Sequence, residues 1–311
     1  MKISVIIPTY NSEQTISECL GSLSTQTYSP YEIIIVDRKS VDLTVEKVKE
    51  FEGVRLILKE FPVLKGAVRN RGAGIAVGDI IFFCDADCIV DQRALEYHLK
   101  SYKSRKDISG VMGGIRNASS KTFVSVFVQK EEMANQWLRG LNPDGSCKIF
   151  GNTNFSMYRS DFLKWKYRED LVAAEDTELS LRISKEVKII FEPKAIVFHH
   201  HPTTVQALFK QRKWWGEGIF GLIRYCKREV FDPDSRAYSV WRYLDYPEDH
   251  LHEAIFQDNQ LLCDGCRAQI CKIDTPRLPK HGESDEYLCR VICLGFASGI
   301  LKQRTGIDYY W

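Results

Sequence analysis

The sequence has little that would mark a membrane protein or a nucleic-acid-binding protein. No apolar run reaches the roughly 18 residues of a membrane span. The nearest, residues 288–301, is shorter and contains Arg290, so we expect a buried helix or one that touches a membrane surface. The formal net charge of the 311 residues is only +2 at pH 7, which provides no overall field to attract nucleic acid.

No export signal is recognised either. The apolar run at the N-terminus is too short for a signal peptide and ends at Pro8 without a small-residue cleavage site. The ten irregularly spaced cysteines are therefore expected to be reduced thiols, and the protein to be cytoplasmic or at the cytoplasmic face of a membrane. Five of them could bind Zn²⁺, although free thiols are favoured because the spacing fits no known finger: Cys263, Cys266, Cys271, Cys289 and Cys293.

Strand and helix signals alternate over the first third of the chain. Strands are predicted at residues 3–7, 32–36, 54–58 and 79–84, and helices at residues 12–23, 41–51 and 65–77. Ser12 is the expected N-cap of the first helix. Continuous apolar strands separated by helices indicate an α/β fold with a parallel sheet that is covered on both faces.

The pattern becomes mixed further along the chain. Strands are predicted at residues 110–115, 187–191 and 195–198, and helices at residues 123–138, 174–185 and 203–225. After about Asp232 charged, proline-containing segments dominate. We therefore predict one domain over residues 1–228 and a helical or irregular extension over residues 229–311 that associates with a membrane or a partner.

An acidic triplet follows the fourth predicted strand. Asp85 and Asp87 are expected to project together, because side chains at i and i+2 of an extended segment point the same way. Two adjacent carboxylates repel each other unless a cation lies between them, and Mn²⁺ or Mg²⁺ binds such oxygens together with substrate phosphates. Ligands of such sheets bind beyond the carboxyl ends of the strands. This position favours a metal site over a solvated turn.

Further charged groups allow a functional and a structural interpretation. The pair Glu175-Asp176 could provide a general base, or it could only balance a helix N-terminus. Residues 199–201 are all histidines, of which at most two can face one site, and an exposed loop is equally plausible. Lys65 could offset the charge of a diphosphate, whereas a solvated helix face is favoured for Arg71.

Six segments resemble, in order and spacing, the motifs of the family-2 inverting glycosyltransferases with a GT-A fold. They are residues 5–11, 36–44, 66–72, 85–87, 151–154 and 175–176. The resemblance implies a Rossmann-like, mostly parallel central sheet flanked by helices. It also implies a nucleotide-binding half at residues 1–108 and an acceptor half at residues 109–228.

The resemblance also implies roles for single residues. Nucleotide-binding roles fall on Pro8, Tyr10, Asp37, Lys65, Arg69 and Asp85, with Asp37 accepting a hydrogen bond from the base, usually uracil in this family. Metal-binding roles fall on Asp87, Asp85 and His199. Asp176 is implied as the general base, with Glu175 the alternative, and Gly151, Asn152 and Asn154 as the acceptor side.

Two segments depart from the family pattern. Arg38-Lys39 stands where the second motif often has Asp-Gly, which leaves the local turn open. Trp214 stands where membrane-bound processive relatives have the arginine of Gln-x-x-Arg-Trp, so an enzyme that adds one sugar is favoured. Trp214 is expected on the acceptor side, by stacking on a sugar, or in the core of an amphipathic helix.

The sequence therefore predicts a metal-dependent hexosyltransferase that uses Mn²⁺ or Mg²⁺. It would move one sugar from a nucleoside-diphosphate donor, with a UDP-sugar favoured, to a hydroxyl of a glycan or lipid-linked saccharide. A hydroxyl acceptor is favoured because it needs a base, whereas a polyprenyl phosphate is already ionised. A polyprenyl-phosphate glycosyltransferase, a sugar nucleotidyltransferase and a non-catalytic nucleotide-sugar-binding module remain as alternatives.

Overall fold

A computed structural model describes most of the first 230 residues. The described ranges are residues 1–58, 64–129, 144–147 and 149–230, with two further short strands, Gln260–Leu261 and Cys271–Lys272. The predicted segment 288–301, the side chains of the five clustered C-terminal cysteines and the predicted helix beyond residue 129 lie outside the described residues.

An eight-stranded sheet forms the centre of the fold. Its strands are β1 Ile3–Thr9, β2 Glu32–Asp37, β3 Val54–Leu58, β4 Ile80–Phe83, β5 Cys88–Val90, β6 Gly110–Asn117, β7 Phe155–Tyr158 and β8 Ile189–His199. They lie in the order β3-β2-β1-β4-β7-β6-β8-β5. The pairs β1–β2, β2–β3, β1–β4 and β6–β8 are parallel, whereas β4–β7, β6–β7 and β5–β8 are antiparallel. The predicted α/β class with a mostly parallel sheet is confirmed.

Helices connect the strands. They are α1 Ile16–Ser24, α2 Thr44–Lys49, α3 Lys65–Ile75, α4 Ala94–Ser104, α5 at residues 123–129, α6 Arg159–Trp165, α7 Glu175–Ile183 and α8 Val205–Val230. The prediction of Ser12 as an N-cap is wrong, because α1 begins at Ile16 with Thr15 in the N-cap position. The Ser12 hydroxyl instead donates to the Tyr10 carbonyl at 3.3 Å.

Two regions differ from the sequence prediction in their extent. The strands predicted at residues 187–191 and 195–198 form the single strand β8, whose pairing with β6 shifts register between Gly113 and Gly114. The helix predicted at residues 41–51 begins only at Thr44, because the Asp42 carboxylate accepts from the Thr44 amide and hydroxyl and keeps the preceding residues in a loop.

Apolar side chains cover both faces of the sheet. All residues of β1 are buried, and Val5 and Ile7 pack in one cluster with residues of α1 and α4. Ile6 points the other way and packs with residues of α3 and α6 in a second cluster. Gly72 allows the close approach of α3, since a Cβ there would lie 2.5 Å from Cγ2 of Ile6. This packing confirms the prediction that helices cover both faces.

The chain divides into two compact units. The first contains residues 1–119, 129–171 and 175–201, and the second contains residues 120–128, 172–174 and 202–311. In the second unit, Val124, Phe127 and Val128 of α5 pack on Leu208 of α8. Within the described ranges, every helix is too short or too polar to cross a membrane. The predicted boundary at residue 228 stays a prediction.

Candidate active site

The loops that follow β1 and β2 lie side by side at the carboxyl edge of the sheet. The Asn11 amide donates to Ser40 Oγ at 2.8 Å, and the Val41 amide donates to Asn11 Oδ1 at 3.0 Å. The Ser12 amide donates to Thr44 Oγ1 at 2.7 Å. These bonds fix the two loops to each other, so the side chains that they carry have defined relative positions.

The predicted nucleotide residues on these loops differ in their exposure. Pro8 is buried within β1, whereas the Tyr10 side chain is 50% exposed. Asp37 is buried, and its carboxylate accepts from Thr9 Oγ1, Ser40 Oγ and the Ser40 amide at 2.9, 2.6 and 2.8 Å. The carboxylate of Asp37 therefore stabilises the turn that follows β2, and its contact with a base stays a prediction.

The acidic triplet forms a turn rather than an extension of β4. Asp85 Oδ1 accepts from Nη2 of the buried Arg69 at 2.6 Å, and Asp85 Oδ2 accepts from Thr153 Oγ1 at 2.8 Å. Burial opposes ionisation, but Arg69 and Lys65 outweigh it and hold the pKa of Asp85 well below its usual range. Residues 86–87 form a turn, so the extended geometry assumed for the triplet is wrong. The expectation that the carboxylates of Asp85 and Asp87 project together stays a prediction.

Asp87 faces a histidine from the neighbouring strand. Its Oδ1 lies 3.3 Å from Nε2 of His199, and its carbonyl accepts from the His200 amide at 3.0 Å. The antiparallel pairing of β5 with β8 produces this arrangement, since Cys88 is the register partner of His199. Desolvation opposes the charge on Asp87, but His199 outweighs it and lowers the pKa of that carboxyl group.

Asp87, Cys88 and His199 offer ligand atoms that all lie within 4.8 Å of one another. Burial raises the pKa of the Cys88 thiol to about 12. Sulfur is also a soft ligand, whereas Mn²⁺ and Mg²⁺ prefer oxygen ligands. The carboxylate and imidazole form a donor set that suits Mn²⁺, and water or phosphate oxygens can complete it. These residues fit the predicted divalent cation better through Asp87 and His199 than through Asp85.

The acidic pair at the start of α7 lies in the same site. Glu175 is buried, and its Oε1 accepts from Arg69 Nη1 at 2.5 Å and from Asn152 Nδ2 at 2.9 Å. Burial raises the pKa of Glu175, and Arg69 opposes that effect. The Asp176 carboxylate is half-buried and accepts from the amides of Asn152 and Thr177. Arg69 thus links the acidic triplet to the acidic pair.

The side chains of residues 151–154 have two different surroundings. Asn152 and Thr153 reach Glu175 and Asp85, as described above, whereas Asn154 is fully buried. Its Nδ2 donates to the carbonyls of Gly114 and Ala195, and its Oδ1 lies 2.9 Å from Nε2 of His98. The Asn154 side chain therefore supports the sheet. Its expected acceptor role stays a prediction.

The remaining predicted residues occupy different surroundings. Lys65 begins α3 and lowers the pKa of both Asp85 and Asp87 through its charge. Arg71 is exposed, as expected for a solvated helix face. Trp214 is half-buried on α8 in the second unit, and its acceptor role stays a prediction.

Thr153 and His98 are site or supporting residues that the sequence reasoning missed. Thr153 lies within the motif at residues 151–154. Its hydroxyl, between two asparagines, is the sequence feature that could have indicated a role in the site. His98 lies in α4, a helix that was not predicted. The His98 ring forms buried hydrogen bonds with Ser156 and Asn154. The sequence does not reveal this network, because folding of the sheet brings these distant residues together.

The family profile and two curated relatives that match this sequence describe glycosyltransferases. The profile described as glycosyl transferase family 2 matches residues 4–164. "Probable glycosyltransferase YdaM" from Bacillus subtilis (strain 168) is 30% identical over 234 residues, covering 70% of this chain and 55% of that protein. A dolichyl N-acetyl-alpha-D-glucosaminyl phosphate 3-beta-D-2,3-diacetamido-2,3-dideoxy-beta-D-glucuronosyltransferase from Methanococcus voltae is 29% identical, covering 71% and 74%. The chain spans about half the length of the first curated relatives that it matches.

Solved structures show the same fold. The mannosyltransferase PcManGT from Pyrobaculum calidifontis, in complex with GDP-Man and Mn²⁺, has a TM-score of 0.60 at 19% identity and covers 78% of this chain and 70% of that one. S. aureus TarS 1-349 in complex with UDP-GlcNAc has a TM-score of 0.55 at 16% identity, covering 100% and 93%. At these identities the likeness is one of fold.

Proposed function

The chain belongs to glycosyl transferase family 2, and from this premise we propose that it transfers one sugar from a nucleoside-diphosphate donor to a hydroxyl group, with inversion at the anomeric carbon. The observation that carries the proposal is the ion-pair link through Arg69. This buried guanidinium holds Asp85, next to the candidate metal ligand Asp87, and Glu175, next to the candidate base Asp176. This link supports the proposal, because one buried group holds both the acidic triplet and the acidic pair.

Asp176 is the proposed general base. Its carboxylate is half-buried and is oriented by the amides of Asn152 and Thr177, so it can accept a proton from an acceptor hydroxyl as that hydroxyl attacks. Glu175 is less suited, because it is buried and already paired with Arg69. We propose that Glu175 positions Arg69 and Asn152 instead.

Asp87 and His199 are the proposed ligands of Mn²⁺ or Mg²⁺. When bound, the cation would stabilise negative charge on the departing nucleoside diphosphate. Lys65, at the N-terminus of α3, adds a second positive charge on the same side. The donor set of the two ligands supports a divalent cation, and the Mn²⁺ complex of the fold neighbour agrees with it.

We propose a UDP-sugar as the donor and a glycan or lipid-linked saccharide as the acceptor. The fold neighbour with bound UDP-GlcNAc and the relative whose name describes a dolichyl-linked acceptor support this class. The presence of a base favours a hydroxyl over a polyprenyl phosphate, which is already ionised. A lipid-linked acceptor would bring the protein to the cytoplasmic face of a membrane, which flotation with liposomes can test.

Replacement of Asp176, the proposed general base, tests the mechanism. We expect Asp176→Asn to lower turnover by at least about 100-fold, while UDP binds in the presence of Mn²⁺ as in the wild type. A thermal-shift screen of nucleotide sugars would select the donor, and release of UDP with glycan and lipid-linked acceptors would give the turnover. NMR of the product would report the anomeric configuration.

Asp161→Asn is the matched control, since Asp161 is a carboxylate in the first turn of α6. It should retain turnover. If Asp176→Asn were as active as the wild type, Asp176 would not be the base. If the wild type bound no nucleoside diphosphate under any condition, the proposed function itself would fail.

A further inference from the structure

Arg38 lies at the end of the site where the resemblance implies the base of the donor. It follows Asp37, and its amide donates to the Thr9 carbonyl at 2.9 Å, which continues the β1–β2 ladder beyond the strands. Lys39 then adopts a left-handed backbone with a φ of 68°. The side chain of Lys39 is exposed after this turn, whereas that of Arg38 is half-buried.

The guanidinium of Arg38 lies near residues of the candidate site that are described above. Its Cζ lies 5.4 Å from the centre of the Tyr10 ring. Arg69, Glu175 and Asp37 are close enough to influence its pKa electrostatically, although burial has the largest effect and lowers that pKa. Arginine nevertheless stays charged in proteins. A permanent, partly desolvated cation therefore borders the exposed ring of Tyr10.

The two loops that carry Tyr10 and Arg38 are held rigidly. Besides the bonds of Asn11 with Ser40 and Val41, the Glu13 amide donates to Asp42 Oδ2 at 3.1 Å, and the Leu43 amide donates to Glu13 Oε2 at 3.0 Å. Because these bonds order both loops before any ligand arrives, little conformational entropy is lost when a flat ligand binds against them.

The two side chains differ in what they offer to a base. Tyr10 provides an exposed aromatic face on which any nucleobase can stack. The guanidinium only donates hydrogen bonds, so it favours an exocyclic carbonyl oxygen over an amino group. Asp37 is less accessible, since it is buried and accepts three hydrogen bonds from Thr9 and Ser40.

We propose that Arg38 is a specificity-determining residue for the donor, which donates to a carbonyl oxygen of a base stacked on Tyr10. The donor class that it selects is a nucleoside diphosphate whose base carries an exocyclic carbonyl at that edge, such as uracil, over one with an amino group, such as cytosine. This inference rests on the proposed function, because it assumes that a nucleotide donor binds at this end of the sheet.

The test compares UDP, CDP and inorganic pyrophosphate by calorimetry with Mn²⁺ present. The wild type should bind UDP at least tenfold more tightly than CDP. Arg38→Ala should lose at least tenfold in affinity for UDP, lose most of the preference over CDP, and bind pyrophosphate as the wild type does. Arg38→Lys should resemble Arg38→Ala, because lysine keeps the charge but lacks the planar fork.

Lys39→Asn is the matched control. It removes an exposed positive charge one residue away, and asparagine tolerates a left-handed backbone, so the preference for UDP should be unchanged. Equal thermal unfolding of the variants would exclude misfolding as a cause. The inference would be overturned if Arg38→Ala kept the UDP preference, or if pyrophosphate affinity fell in parallel, which would assign Arg38 to the phosphates.

Binding by the wild type separates the proposed role of Arg38 from the proposed donor class. If the wild type binds UDP and Arg38→Ala behaves like it, only the role of Arg38 fails. If the wild type binds none of the three ligands, the proposed donor class fails together with the inference.

Discussion

Arg69 is the residue on which the buried charges of the site depend. It is 1% exposed and forms ion pairs with Asp85 and Glu175. Arg69→Met would leave both carboxylates without their cation in a desolvated site, so we expect a loss of about 3–5 kcal/mol in the free energy of unfolding. Urea denaturation measures this loss.

Arg71→Met provides the comparison for that measurement. Arg71 lies on the same helix, two residues further on, but is exposed. Its replacement should change the free energy of unfolding by less than about 0.5 kcal/mol. Similar losses in the two variants would mean that the ion pairs of Arg69 add nothing to stability.

His98 gives the fold a dependence on pH. Burial lowers the pKa of His98 from 6.5 to about 4, so between these values the unfolded chain binds a proton that the folded protein does not. Stability is therefore full above about pH 6.5 and falls as the pH drops towards 4, by about 3 kcal/mol from this residue. Urea denaturation at a series of pH values should show a steeper loss for the wild type than for His98→Gln. Parallel curves would contradict the prediction.

Two glycines of α3 show how closely this helix packs on the sheet. A Cβ at Gly72 would lie 2.5 Å from Cγ2 of Ile6, whereas a Cβ at Gly74 would meet nothing within 4 Å. Gly72→Ala should therefore destabilise the protein by about 1–3 kcal/mol through overpacking. Gly74→Ala should stabilise it by up to about 1 kcal/mol, because alanine has the higher helix propensity. Thermal unfolding of the two variants should shift in opposite directions, and a shift of the same sign in both would refute the packing argument.

The elements that sequence reasoning found are those with local signals. The apolar runs of β1, β2 and β4 and the helices between them could be predicted, since each reveals its period within a few residues. β5 and β7 were missed because they are three and four residues long and are defined by pairing with β8 and with β4 and β6.

The candidate site was predictable to a similar degree. Its carboxylates stand in recognisable motifs, so Asp87 and Asp176 could be singled out from the sequence. The link through Arg69 could not be predicted, because it joins Asp85 to Glu175 across the fold. Nor could the turn at residues 86–87, which replaces the extended geometry expected for the acidic triplet.

Binding of UDP, the nucleotide that the donor releases, should stabilise the whole molecule. Because a ligand that binds only the folded state adds about 2.7 kcal/mol at 100 times its Kd, UDP with Mn²⁺ should raise Tm by several degrees. Removal of the metal with EDTA should reverse most of this shift. Asp87→Ala should lose the part of the Tm shift that depends on Mn²⁺.

Asp79→Ala is the control for that comparison. Asp79 precedes β4 and accepts from the Lys2 amide, so it lies at the opposite end of the strand from Asp85. Its replacement should leave the Mn²⁺-dependent shift intact. An undiminished shift in Asp87→Ala would remove that residue from the metal site.

The order of the strands has a consequence for the chain as it emerges from the ribosome. β4 lies between β1 and β7, and its apolar residues, Ile80 to Phe83, pair with Tyr158 to Phe155. During synthesis, one side of β4 therefore has no neighbour until β5, α4, β6 and the chain up to β7 have been made. An unpaired apolar strand edge is a template for aggregation. A fragment that ends near residue 108 would keep this edge open permanently, and we expect it to require chaperones or to form inclusion bodies.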